Sequence, residues 1–179
     1  MRVTWCGTPW SNALSRLMPG TTVTTAEAHH VEVISDFELG SFDPVTAVTL
    51  VLTKQVEQPA EIVVSVVDEV QSAALNACYR ERAGATNVLS FPDKVAVEGG
   101  RTLLGDIVVC YPVAAREALE QGKPLGAHLT HLLVHGVLHL LGYDHADELT
   151  ATHMEGLEVQ LLAQLGLPDP YCAQGLNDD

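Results

Sequence analysis

Apolar and polar positions fall into two periods along this chain. Residues 31–35 (VEVIS) alternate with the period of two expected of a strand. Residues 61–67 (EIVVSVV) form a β-branched run, the composition of a central strand. Two more short strands are predicted at 88–91, stopped by Pro92, and at 103–110, after the Gly99-Gly100 turn. Helical spacing lies between and after them. Apolar residues at 45, 48, 50, 51 and 52 predict a helix begun near Asp43-Pro44, where proline fits the first turn. Asp68 and Gln71 resemble a capping box and predict a helix to about Arg82. Further helices are expected over 112–121, 125–141 and about 147–165, the second broken from the third after Leu141.

Four short strands with about five helices interspersed predict an α+β single domain with a small mixed sheet. A length of 179 residues fits one core, because two independent halves would each fall below the usual domain size. Residues 1–28 are rich in Thr, Ser and Gly without sustained periodicity and read as a poorly ordered N-terminal extension. Residues 29–171 carry the domain, and 172–179 read as a flexible tail. No run near the start is apolar enough for a signal peptide, and the most apolar stretch, 125–141, holds four histidines and is too short to span a bilayer comfortably.

Hydrophobic residues make up 47% of the chain against 18% charged, which excludes disorder over its length. The formal net charge of −14 argues against generic phosphate gripping, which needs clustered Lys and Arg. The charge is uneven: residues 124–179 contain eight acids and no Lys or Arg, whereas Arg80, Arg82, Lys94 and Arg101 fall within 22 residues. If an anion is handled, that middle segment handles it. Cys6, Cys78, Cys110 and Cys172 show no CxxC pairing, and the apolar surroundings of Cys78 and Cys110 suit buried thiols of a reducing compartment.

Six of eight histidines lie between residues 128 and 153. His135 and His139, four apart on a helix, stack on one face within reach of one ion. His145 would be carried away by a continuing helix, but Gly142 intervenes, and glycine takes the left-handed conformation that ends helices and lets the chain fold back. Three imidazoles without a fourth protein ligand leave a position open for water or substrate, the pattern of a catalytic zinc site. His128 and His131 continue the stripe and offer His131 with His135 as a competing pair, which lacks a folded-back partner; His153, His29 and His30 read as surface residues. Metzincin proteases share the spacing but carry a glutamate as general base where this chain has Gly136, so peptide hydrolysis loses its base.

The segment HGVLHLLGYDH at 135–145 resembles the HGxLHLxGyDH signature of the bacterial YbeY family of metal-dependent endoribonucleases. Leu75-Asn76 with Tyr79-Arg80 resembles its LNxxYR, residues 86–92 (TNVLSFP) its T(D/N)VLSFP, and residues 104–107 its LGDI. Residues 155–171 look like its C-terminal helix and tail. The resemblance implies that His135, His139 and His145 hold one zinc ion per chain, or another divalent transition metal, and that Arg80 is an active-site residue. It implies cleavage of single-stranded RNA, a precursor of 16S ribosomal RNA whose 3′ end is matured, with ribosome quality control, small-subunit ribosomal proteins as partners and a cytoplasmic location. Neither DNA nor a membrane is an expected partner.

Arginine's planar fork suits the charge gathered by a phosphodiester transition state. The structural alternative for Arg80 is a helix-terminal side chain bonding the last carbonyls. Ser90 and Asn87 could contact phosphate or base or serve turn and strand; Asp144 and Asp106 could orient a ligand imidazole or cap turns. A rival to the nuclease is a ribosome-assembly factor with a mainly structural metal site, which the acidic surface suits, and a zinc metallopeptidase is the remaining alternative.

Overall fold

The computed structural model describes residues 21–25, 29–97 and 99–172. They form β1 (Thr21–Thr25), β2 (His30–Ser35), α1 (Pro44–Gln55), β3 (Ala60–Val67), α2 (Glu69–Tyr79), β4 (Val88–Ala96), β5 (Thr102–Cys110), α3 (Tyr111–Glu120), α4 (Leu125–Leu141) and α5 (Glu148–Gln164). The fold is a single α+β domain. One mixed sheet runs β1-β2-β3-β5-β4, with β2, β3 and β5 parallel and the two edge strands antiparallel to their neighbours.

Side-chain alternation sorts the central strands onto two faces. Ile62, Val64, Val66, Ile107 and Val109 point into the main core with α1, α4 and α5, while Val67 and Val108 meet Leu75 of α2 on the other face. Helix α4 is buried nearly all round, through Leu129, Leu132, Leu133, Val137, Leu138 and Leu140, as expected of a helix whose apolar positions exceed one stripe. Gly136 lets it lie close on the sheet: a Cβ there would stand 3.1 Å from Ile107 Cγ2 and 3.2 Å from Ser90 Oγ. Any side chain at this position presses on Ile107 and Ser90, which must give way by a few tenths of an ångström, a steric cost beside the missing protease base.

The sheet holds five strands where four were expected. The fifth, β1, falls within the extension read as poorly ordered; its TTVTT sequence is rich in the β-branched residues that favour a strand, and it pairs along the edge of β2. Residues 1–20, 26–28 and 173–179, and Cys6 with them, lie outside the described residues. Strand β4 also continues past Pro92, with a register shift between Pro92 and Val95. An edge strand tolerates proline there because the missing N–H points away from the ladder. Opposite it, Gly105 (φ 138°) admits no side chain, since a Cβ would fall 2.1 Å from Phe91 O. Helix α2 stops at Tyr79, before Arg82, as the chain turns through Glu81 at φ 54°. Cys110 is buried as expected, but Cys78 is exposed. His29 is buried and His30 half-buried, contrary to the surface reading, and His30 Nδ1 lies 3.3 Å from Glu61 Oε2 on the neighbouring β3. No helix among the described residues is long and apolar enough to cross a membrane.

Candidate metal centre

Helix α4 ends in a turn that the sequence dictates. Gly142 takes φ 97°, its N–H donates to His139 O at 3.0 Å, and Tyr143 N–H reaches back to Leu138 O at 3.0 Å. This 6→1 and 5→2 pair of bonds is a Schellman motif, which glycine completes without a Cβ penalty. The chain reverses, and Asp144 Oδ1 accepts the His145 N–H at 2.8 Å, fixing the returning loop. His135, His139 and His145 are thereby brought together, each with a ligand atom within 4.8 Å of the others'. His145 is exposed, whereas the two helical histidines are partly buried.

The hydrogen bonds decide which nitrogens face inward. His139 Nδ1 lies 3.0 Å from Tyr143 O, a carbonyl that only accepts, so this nitrogen carries the proton. His135 Nδ1 lies 2.8 Å from Glu158 Oε1. Burial by itself would raise the Glu158 pKa, but bonds from His131, His135 and Tyr171 outweigh it and bring the carboxyl from 4.5 to about 2, so it accepts as a carboxylate. With Nδ1 protonated on both rings, the neutral imidazoles present Nε2 lone pairs, and these atoms face one another at 3.0 Å. Two imidazole lone pairs at this separation repel unless a cation or a proton lies between them. A proton is disfavoured at His139, whose pKa is lowered by burial first and then by the charges of His135 and His145. A metal ion suits the gap: tetrahedral coordination at ~2.0–2.1 Å separates two nitrogens by ~3.4 Å. The donor set fits the ion that the sequence implied.

Glu158 is the functional residue that sequence reading missed. It is 1% exposed and accepts from His131 Nε2 at 2.9 Å, from His135 Nδ1 and from the Tyr171 hydroxyl. The carboxylate therefore ties α4, α5 and the C-terminal segment together behind one ligand. A signal was present: Glu158 shares the inward stripe of α5 with Met154, Leu161 and Leu162, and an acid in an apolar stripe needs a partner. His131, weighed as a competing ligand, is this partner instead.

The other expected residues take distinct places. Ser90 donates to Gly136 O at 3.1 Å and anchors β4 to the ligand helix. Asn87 Nδ2 donates to Glu117 on α3 at 3.0 Å, and its Oδ1 accepts from Val88 N–H at 2.7 Å. Asp144 holds the loop through His145 N–H and makes no hydrogen bond to a ligand imidazole. Asp106 faces Asp93 and Glu32, away from the triad; burial first, then those two charges, push its pKa up to about 6, and its Oδ1 is buried without a partner. Arg80 caps the end of α2 with an exposed side chain, and no hydrogen bond or ion pair joins its guanidinium to another described residue. Arg101, by contrast, sits 3.4 Å from Glu61.

Comparison with known proteins gives a consistent result. The family model described as Endoribonuclease YbeY matches residues 37–166. A protein named Endoribonuclease YbeY from Methylococcus capsulatus is 53% identical over 116 residues, which cover 64% of this chain and 77% of the relative. Its namesake in Nitrosococcus oceani is 57% identical over 113 residues, 62% of this chain and 74% of that one. A third, from Cellvibrio japonicus, is 54% identical over 124 residues, 69% and 70% of the two chains. The solution structure of TM1509 from Thermotoga maritima superposes with a TM-score of 0.51 at 21% identity, covering 79% of this chain and 99% of that one, which shows the shared fold. With its three histidines gathered as that signature requires, and with relatives of this identity across most of the domain, the chain belongs to the Endoribonuclease YbeY family.

Proposed function

We propose that this protein is a single-strand-specific, metal-dependent endoribonuclease that matures the 3′ end of 16S ribosomal RNA and serves ribosome quality control in the cytoplasm, with zinc held by His135, His139 and His145. The observation that carries this reading is the pair of Nε2 atoms 3.0 Å apart, each backed by a bonded Nδ1. His135, His139 and His145 would hold the zinc through their imidazoles, and when bound it would supply Lewis acidity at a phosphoryl oxygen.

The chain's own groups do the rest. Glu158 and Tyr143 O fix the tautomers and ring planes of two ligands, so the site is organised before substrate arrives. Arg80 has no carboxylate among the described residues to neutralise it. Its fork is available for the non-bridging oxygens of a phosphodiester, where charge grows in the transition state. The acidic surface suits docking on basic small-subunit ribosomal proteins, with an affinity that falls as salt screens it.

Metal analysis of freshly purified protein, paired with cleavage of a short single-stranded RNA with and without chelator, tests the reading. Cleavage is expected to follow metal content and to vanish in His139→Ala while circular dichroism stays unchanged. Cleavage that survives both chelator and that substitution overturns it.

A further inference from the structure

Beside the triad lies a second feature that the chemistry at the metal does not use. A cavity of about 390 Å3 opens between α3, α4, the start of β4 and the C-terminal segment, with His135 in its wall. Its volume falls in the ~300–1,000 Å3 range of small-ligand sites. Asn87, Glu117, Lys123, His128 and Tyr171 also line it. We propose that this cavity is a base-binding subsite that accepts an amino-bearing nucleobase of single-stranded RNA and disfavours uracil. The inference rests on the endoribonuclease reading and adds a specificity to it.

The hydrogen-bond directions make the argument. Glu117 accepts from Asn87 Nδ2, at 3.2 Å on Oε1 and 3.0 Å on Oε2, and from His128 Nε2 at 2.9 Å. His128 is 5% exposed, so this ring cannot turn away to water. Asn87 is locked from its other end, where Oδ1 accepts the Val88 N–H at 2.7 Å. The Asn87 and His128 donors are therefore directed at Glu117. What Glu117 and Asn87 still offer at this part of the wall are acceptors, since a carboxylate has about four lone-pair sites and an amide oxygen two.

An acceptor wall discriminates among bases. Adenine, cytosine and guanine each present an exocyclic amino group, and Glu is a natural acceptor for such an edge. Uracil turns carbonyl oxygens toward the same positions, leaving the half-buried Glu117 acceptors facing acceptors, an arrangement that a hydrogen-bonding site disfavours. The remaining parts suit the rest of a nucleotide. Tyr171 is 46% exposed, and its orientation is fixed by the Glu158 bond and by edge contact with the His131 ring at 5.6 Å, which leaves an aromatic surface at the cavity for stacking. Lys123 Nζ donates to Pro170 O at 2.8 Å and retains further N–H groups for a phosphate. Because His135 belongs to both walls, the base bound here neighbours the scissile linkage.

The test uses the full-length, metal-loaded protein and short oligoribonucleotides that differ at one base in a uridine background. Cleavage is mapped for each, and binding of 2′-O-methyl versions, first checked for resistance to cleavage, is followed by fluorescence anisotropy. The expected result is a preference of about tenfold for A, C or G over U at one fixed distance from the cut, mirrored in affinity. Glu117→Gln, which puts an amide donor into the wall, is expected to narrow that ratio to about threefold or less. A 5-iodocytidine at the preferred position is expected to photocrosslink wild-type protein at Tyr171, a measurement that stands if Glu117→Gln fails to fold. Equal rates and affinities for all four bases, a preference unchanged by Glu117→Gln in a folded variant, or a crosslink mapped elsewhere overturns the subsite. Absence of cleavage of every oligonucleotide by metal-loaded protein instead counts against the nuclease reading, and the anisotropy series then still decides the subsite.

Discussion

At His135 one ring nitrogen is held by Glu158 while the other faces His139, so a single carboxylate sets both the tautomer and the aim of a ligand. Replacing it by Gln removes the charge and one strong acceptor. Glu158→Gln is expected to weaken metal binding ~10–100-fold, read by competition with a chromophoric chelator. The same residue sets a pH dependence. Its folded pKa lies at about 2 against the ordinary 4.5, so its stabilisation is complete above ~4.5 and is lost as pH falls toward 2. Unfolding midpoints of chelated wild-type protein are expected to drop across that window more steeply than those of Glu158→Gln. Arg80 belongs to this scale too. With an exposed, unneutralised guanidinium, Arg80→Ala is expected to keep fold and metal content while cleavage falls by ~10²–10³, as on loss of one donor to developing charge. Unchanged cleavage rates in that variant remove the arginine from the mechanism.

Elements deliver these residues, and their ends matter more than their middles. The triad exists because α4 stops at a left-handed Gly142 and the loop returns under the Asp144 bond. Gly142→Ala places a Cβ in the left-handed region at a cost of ~1–2 kcal/mol. Its denaturation midpoint is expected to fall accordingly, and its metal affinity to fall with it as His145 loses its placement; an affinity equal to wild type would detach the kink from the site. Element ends also separate what was legible in the sequence from what was not. Asp68, Asp43 and Gly142 announce helix boundaries by local hydrogen bonds, and those boundaries appear where they were expected. Strand β4 runs beyond Pro92 and β1 arises from a Thr-rich segment because edge pairing depends on which neighbour is available, and local sequence does not carry that information.

Across the whole molecule, α4 is the part on which the other layers meet. Its apolar sides contact the sheet, α1 and α5, and its histidine stripe opens toward the C-terminal segment. That segment is part of the site: Tyr171 bonds Glu158, and Lys123 grips Pro170 O. Ending the chain after residue 167 is expected to leave far-UV circular dichroism intact, because no helix or strand among the described residues is removed, while metal affinity falls by about tenfold as Glu158 loses a donor. Full affinity in the shortened protein would show that the segment only covers the site.

From its residues alone the chain determined the α+β class, the three histidines that come together and the turn that lets them converge, because period, capping and the glycine break are local properties of the backbone. The tertiary structure decided what stands behind the ligands. Glu158 meets His135 across 23 positions of sequence, Glu117 meets Asn87 across 30, and Ser90 meets Gly136 across 46. Such pairs form only when helices pack on a sheet at one distance and rotation, and no periodicity in a linear chain encodes which buried acceptor a given histidine will find.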